Sequence, residues 1–70
     1  MKRTSVNSSN FASVGYDPTS QILEIEFNIG TVYQYFDVPQ SERIALLGAS
    51  SRGSYFCHNI RDSYRYQRIQ

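Results

Sequence analysis

Cysteine, histidine and tryptophan are almost missing from this 70-residue chain, which has one Cys, one His and no Trp. A lone Cys57 cannot close an internal disulfide, and with His58 it supplies only two of the four ligands a structural zinc needs. Proline is scarce too, at two residues, and no apolar run approaches the roughly 20 residues that span a bilayer. Residues 1–10 are polar and lack the apolar stretch of a signal peptide, so together with the free thiol the expected compartment is the cytoplasm, with no membrane partner. No Gly-rich loop leads from a strand into a helix, which removes the usual phosphate cradle of nucleotide-binding domains. A chain this short buries only about 60% of the surface its unfolded form exposes. One core of that size leaves about 3–5 kcal/mol of net stability unless packing or self-association adds to it.

Aromatic residues are what the chain has instead: six Tyr and four Phe. Charge is balanced in sum, at +1, but not in placement. Residues 17–42 carry Asp17, Glu24, Glu26, Asp37 and Glu42 with no Lys or Arg, whereas residues 43–70 carry Arg43, Arg52, Arg61, Arg65 and Arg68 against Asp62 alone. Every base in the second half is arginine, whose planar fork suits phosphate and whose face suits stacking on rings or bases. A solvated helical face gives the same charge pattern.

The first half reads as strands. Residues 11–16 are β-compatible, and Asp17-Pro18-Thr19-Ser20 is turn chemistry. In residues 22–28, Leu23, Ile25 and Phe27 alternate with Glu24 and Glu26, the pattern of a strand with one wet face. Asn28-Ile29-Gly30 turns the chain into a third strand, 31–38, with Tyr33 and Tyr35 on one face and Val32, Gln34 and Phe36 on the other; Pro39 ends it. The period then changes to that of helices over 40–47 and 51–62. Gly48 stops the first, Ser50 or Ser51 caps the second, and Phe56, Ile60 and Tyr64 form the second one's apolar stripe. Gly53, near the start of that helix, points to a close approach by another backbone or a ligand. Residues 64–69 alternate and return as an edge strand. The expected fold is therefore a single α+β domain of three to four antiparallel strands and two short helices, with residues 1–7 a flexible lead.

Candidate chemistry is sparse. Cys57-His58-Asn59 has the residue types of a thiol protease, but neighbours on a helix point about 100° apart, whereas a thiolate and its base must meet within hydrogen-bond reach. Cys57 is expected to be a buried or half-buried filler and His58 a surface residue. Glu24 and Glu26 share a strand face, as any solvated face would allow. No catalytic site, cofactor or metal site is expected, and the chain is not expected to be an enzyme. What remains is the interleaving of Tyr55, Tyr64 and Tyr66 with Arg52, Arg61, Arg65 and Arg68, a combination able to stack bases and engage phosphates.

Ser8-Ser9, Val14-Gly15-Tyr16-Asp17, Leu23-Glu24-Ile25-Glu26-Phe27, Gly30 with Tyr33-Gln34-Tyr35, Val38-Pro39, and Ala49-Ser50-Ser51-Arg52-Gly53-Ser54-Tyr55-Phe56 with Ile60-Arg61 follow one another in an order that closely resembles the KTSC domain. That family is named for the C-terminal extension of some lysyl-tRNA synthetases and also occurs as small stand-alone bacterial proteins. Its function is unsettled, and RNA binding is a proposal prompted by the synthetase. The resemblance carries that proposal onto Tyr33, Tyr35, Arg52, Gly53, Tyr55 and Arg61; Cys57 departs from the pattern, which has a polar residue there. Two readings stay open: an accessory module that binds RNA, tRNA-like or single-stranded, through those residues with Arg65 and Arg68, and a protein-interaction or homo-oligomerising module.

Overall fold

Side-chain alternation makes the first half of the chain a sheet, and the computed structural model, which describes residues 1–70, shows five strands where three to four are expected. They are β1 (Arg3–Ser5), β2 (Phe11–Asp17), β3 (Ile22–Phe27), β4 (Val32–Tyr35) and β5 (Tyr66–Arg68), all antiparallel, and their order across the sheet is their order in the chain. Two helices, α1 (Gln40–Gly48) and α2 (Arg52–Asn59), come between β4 and β5 and cover one face.

The extra strand corrects the expectation of a flexible lead over residues 1–7. β1 has no apolar side chain to announce it, and it is held by pairing with β2, Arg3 opposite Gly15 and Ser5 opposite Ser13. Gly15 makes this possible: a Cβ there would lie 2.8 Å from the Lys2 carbonyl oxygen and 2.9 Å from Arg3 Cγ, so any side chain would push the N-terminal segment away. β4 is shorter than expected because Asp37 adopts φ 58°, which turns the chain out of the ladder, and the Val38 N–H bonds Gln21 O at 2.9 Å instead of continuing the strand. α2 also ends early, at Asn59. The N–H groups of Ile60 and Arg61 both donate to Phe56 O, at 3.0 and 2.9 Å, closing the helix in a turn that still carries Tyr64 along the same apolar stripe.

The helix-covered face holds the core: Phe11, Val14, Leu23, Ile25, Tyr35, Val38, Leu46, Phe56 and Ile60 are buried together. The register explains the set, since Leu23 lies opposite Tyr35 and Ile25 opposite both Val14 and Tyr33, which puts these side chains on one side of the pleat. On the other side the wet face expected from Glu24 and Glu26 is partly roofed. Glu24 is only 4% exposed, with Arg3 Nη1 paired to one carboxylate oxygen and Gln34 Nε2 donating to the other at 2.8 Å. Arg3 Nε also donates to Ser13 Oγ, which donates to Glu26 at 2.8 Å, so β1 seals a polar network over the sheet.

Ser51 is the serine that caps α2, its hydroxyl accepting the Ser54 N–H at 3.3 Å. Ser51→Ala is expected to lower stability by about 1 kcal/mol with the denaturant slope unchanged, read from urea unfolding. An unchanged midpoint would mean that the helix end finds its acceptors in water.

Candidate functional site

Hydroxyl partners divide the six tyrosines into two groups. Tyr16 donates to Val38 O at 2.6 Å, while Tyr55 and Tyr64 both donate to the Glu42 carboxylate, Tyr64 at 2.7 Å. Tyr16 ties β2 to the segment before α1, while Glu42 joins α1 to α2 through Tyr55 and to the turn after α2 through Tyr64. The shared carboxylate holds the Tyr55 phenol above its ordinary range, and burial followed by the same hydrogen bond pushes Tyr64 up to about 12. Tyr33, Tyr35 and Tyr66 have no hydroxyl partner in the chain. They cluster where β4 meets β5: Tyr66 lies opposite Tyr35, with ring centroids 5.8 Å apart, and 5.8 Å from Tyr33, whose ring lies 6.4 Å from that of Tyr35 at an interplanar angle of 22°.

These rings line a cleft of about 340 Å³, with Phe27 and Phe56 as its inner wall and Arg61 and Asp62 on its rim. Tyr35 is the floor, 3% exposed, while Tyr33 is half-buried and Tyr66 is 58% exposed. Burial, then the neighbouring Tyr33 and Tyr66, raises the Tyr35 phenol, with Arg61 opposing the shift, so the cleft keeps a neutral hydroxyl at its base. Arg68 faces Tyr33 across the β4–β5 ladder, and directly opposed residues project to one side of a sheet, which puts its stem beside the rings. A second cleft, of about 320 Å³, runs on past Phe27, Phe56 and Arg61 toward Asn10 and Asn28. Its wall carries Cys57, which is exposed rather than the buried or half-buried filler expected, because the helix stripe through Phe56 and Ile60 leaves position 57 outside the core. His58 is exposed, as expected, and its Nδ1 faces its own helix, 2.8 Å from Ser54 O.

Of the residues expected at a binding site, Tyr33, Tyr35 and Arg61 come together and Arg68 stands at their edge. The others do not join them. Arg52 is spent on the fold, donating to Leu47 O and Asn7 O at 3.2 Å each, and Tyr55 is held by Glu42. Arg65 lies over the Phe36 ring at 5.3 Å and 3.6 Å from Asp37, away from the tyrosine cleft. Gly53 lines the second cleft and answers the expected close approach with a side chain: a Cβ there would sit 1.7 Å from Asn10 Nδ2. Phe27 and Phe56 complete the cleft but were absent from the expected set, and Tyr66 was expected only among the interleaved C-terminal tyrosines, not beside Tyr33 and Tyr35. Tyr66 stood among the arginines in sequence, yet only the β4–β5 register brings it to Tyr33 and Tyr35.

No helix of the structure is long and apolar enough to cross a membrane. Residues 7–64 match the family model described as the KTSC domain. An uncharacterised protein of Stutzerimonas stutzeri (strain A1501) is 47% identical over 70 residues, covering 99% of each chain. The lysine–tRNA ligase of Nostoc sp. (strain PCC 7120) is 39% identical over 54 residues, which are 77% of this chain and 10% of that enzyme. Among solved structures, that of a KTSC domain protein from Yersinia pestis superposes with a TM-score of 0.92 at 36% identity, covering 99% of this chain and 97% of that one. With the whole α+β architecture shared and the family model spanning most of the sequence, the chain belongs to the KTSC domain family.

Proposed function

We propose that the Tyr33–Tyr35–Tyr66 cleft binds single-stranded RNA, one base stacking on the exposed Tyr66 ring and the half-buried Tyr33 ring while Arg61 and Arg68 meet the adjoining phosphates. The observation that carries this reading is the division of the tyrosines: the three without a hydroxyl partner are the three that share one open cleft beside two arginines. Bases stack on such rings with little regard to sequence, and arginine adds phosphate contact and cation–π attraction. That a relative is named as a lysine–tRNA ligase favours RNA as the partner. On this reading the domain supplies binding and no catalytic step, and it works in the cytoplasm, where a lone thiol stays reduced.

Titration of labelled tRNA and a mixed-sequence oligonucleotide across a salt series tests it. Binding is expected to weaken with salt, and Tyr66→Ala to reduce affinity about tenfold, the scale of one lost stack. Arg61→Ala should flatten the logarithmic salt slope by about 0.7, as the loss of one phosphate contact requires on a single strand. Arg65→Ala, outside the cleft, should change little. No binding at low salt, or binding indifferent to Tyr66→Ala and Arg61→Ala together, rules the reading out.

Self-association is the second reading, motivated by the exposed Tyr66 and Ile69 at the β5 edge. Both outer strands are three residues long and carry Arg3 and Arg68, features that discourage edge pairing. A sedimentation coefficient that rises with concentration would favour this reading instead.

A further inference from the structure

Arg43 holds the one buried side-chain polar atom in the chain that has no partner: its Nε is shielded from water and donates to nothing. None of the ion pairs includes its guanidinium, which lies over the Tyr16 ring, 5.4 Å from the centroid. An arginine fixed on a ring face with its donors unfilled is set to receive an anion. It forms one wall of a cleft of about 320 Å³ between α1 and the β1 edge, where Lys2 and Thr4 form the opposite wall. Lys2 joins no ion pair either, and no carboxylate lines the cleft. Val14 and Leu47 give it an apolar base. The sheet order β1-β2-β3-β4-β5 puts it at the opposite edge from the tyrosine cleft.

We propose that this cleft is a second binding site, for a dianionic phosphoryl group. Two cations with no acidic neighbour leave a local charge of two to be matched, which a phosphate monoester supplies and a carboxylate does not. The Nη–H groups of the guanidinium can meet the phosphoryl oxygens, Lys2 contributes a point charge, and the Thr4 hydroxyl can donate to a further oxygen. The apolar base accommodates the organic part of the ester. The site does not depend on what the tyrosine cleft binds.

The test is a titration of the full chain with inorganic phosphate at constant ionic strength, followed by the Nε–Hε resonance of Arg43 and the backbone amides of Lys2 and Thr4. A saturable shift is expected at all three, weakened about tenfold in Arg43→Gln, the scale of one charge-assisted hydrogen bond, and weakened also in Lys2→Gln. Unchanged amide shifts across β3 confirm that both variants fold. Tyr66→Ala with Arg61→Ala should leave phosphate binding intact, which separates this site from the RNA reading. A 5′-phosphorylated oligonucleotide compared with its unphosphorylated form shows whether the phosphoryl group can arrive on a strand end as well as free. The proposal is overturned if neither inorganic phosphate nor the phosphorylated strand gives a saturable Arg43 shift, if chloride at matched ionic strength reproduces it, or if folded Arg43→Gln binds as tightly.

Discussion

Phe56→Ala is expected to leave the chain largely unfolded. Phe56 is 5% exposed, and its ring meets three others edge-on, Phe11 at 5.5 Å, Phe27 at 5.6 Å and Tyr35 at 5.5 Å, so it joins α2 to β2, β3 and β4 at once. Truncating a buried Phe to Ala costs about 3–5 kcal/mol, the sum of lost transfer energy and the cavity left behind. That equals the whole net stability of a core this size, about 3–5 kcal/mol, with no disulfide available to hold the chain together. Phe56→Leu retains much of the volume and should stay folded with a lower midpoint. Urea unfolding followed by circular dichroism, with amide dispersion as the check on tertiary packing, gives the answer. A cooperative transition in Phe56→Ala within about 1 kcal/mol of the parent would show that the neighbouring rings collapse into the gap.

Alkaline pH should unfold the protein through its tyrosines. Tyr35, Tyr55 and Tyr64 all have folded-state values above the unfolded one of about 10: Tyr35 chiefly through burial, Tyr64 at about 12 through burial and then Glu42, and Tyr55 through Glu42 first. A raised phenol favours the neutral, folded form. Its stabilisation is therefore complete below about pH 10 and is lost as pH climbs from there through the folded value, because the unfolded chain ionises first. Each tyrosine held neutral over that window lowers stability by about 1.4 kcal/mol per pH unit. Tyr55 and Tyr64 share one carboxylate and titrate as a coupled pair. The urea midpoint, measured from about pH 9 to 12 alongside tyrosinate absorbance, should fall steeply past pH 10. A flat midpoint with early tyrosinate absorbance would mean that these hydroxyls ionise in the folded state. Glu42→Gln removes the negative charge but keeps an acceptor, so it should bring Tyr55 back toward its ordinary range.

Strands with an apolar face were legible because alternation is local. Leu23, Ile25 and Phe27 announce β3, and Tyr33 and Tyr35 share a face from their spacing alone. β1 was not legible, since Arg3-Thr4-Ser5 has no apolar member and its stabilising partner, Glu24, lies 21 positions away. For the same reason Glu24 reads as wet: a charged strand position looks alike whether water or an arginine covers it. The end of α2 was misplaced because Tyr64 continues the stripe of Phe56 and Ile60 through a turn. The candidate site was half legible. Sequence places Tyr33 and Tyr35 together, but Tyr66 reaches them only through a pairing that closes across both helices. Nor can sequence separate Arg61, on the cleft rim, from Arg52, whose donors are taken by the carbonyls of Leu47 and Asn7.

The matching of sheet order to chain order has a kinetic consequence. β1 to β4 join successive neighbours through short connections, so each pairing closes a small loop with little loss of chain entropy. β5 must wait until α1 and α2 have docked, because its contact with β4 closes the longest loop in the sheet. It is also only three residues long, all of them exposed, which makes it the segment expected to exchange its amides first under native conditions. Tyr66 and Arg68 ride on that strand. One of the three rings of the tyrosine cleft is thus built on the last strand to assemble and the first to open, and a ligand seated there would slow amide exchange in β5 before anywhere else.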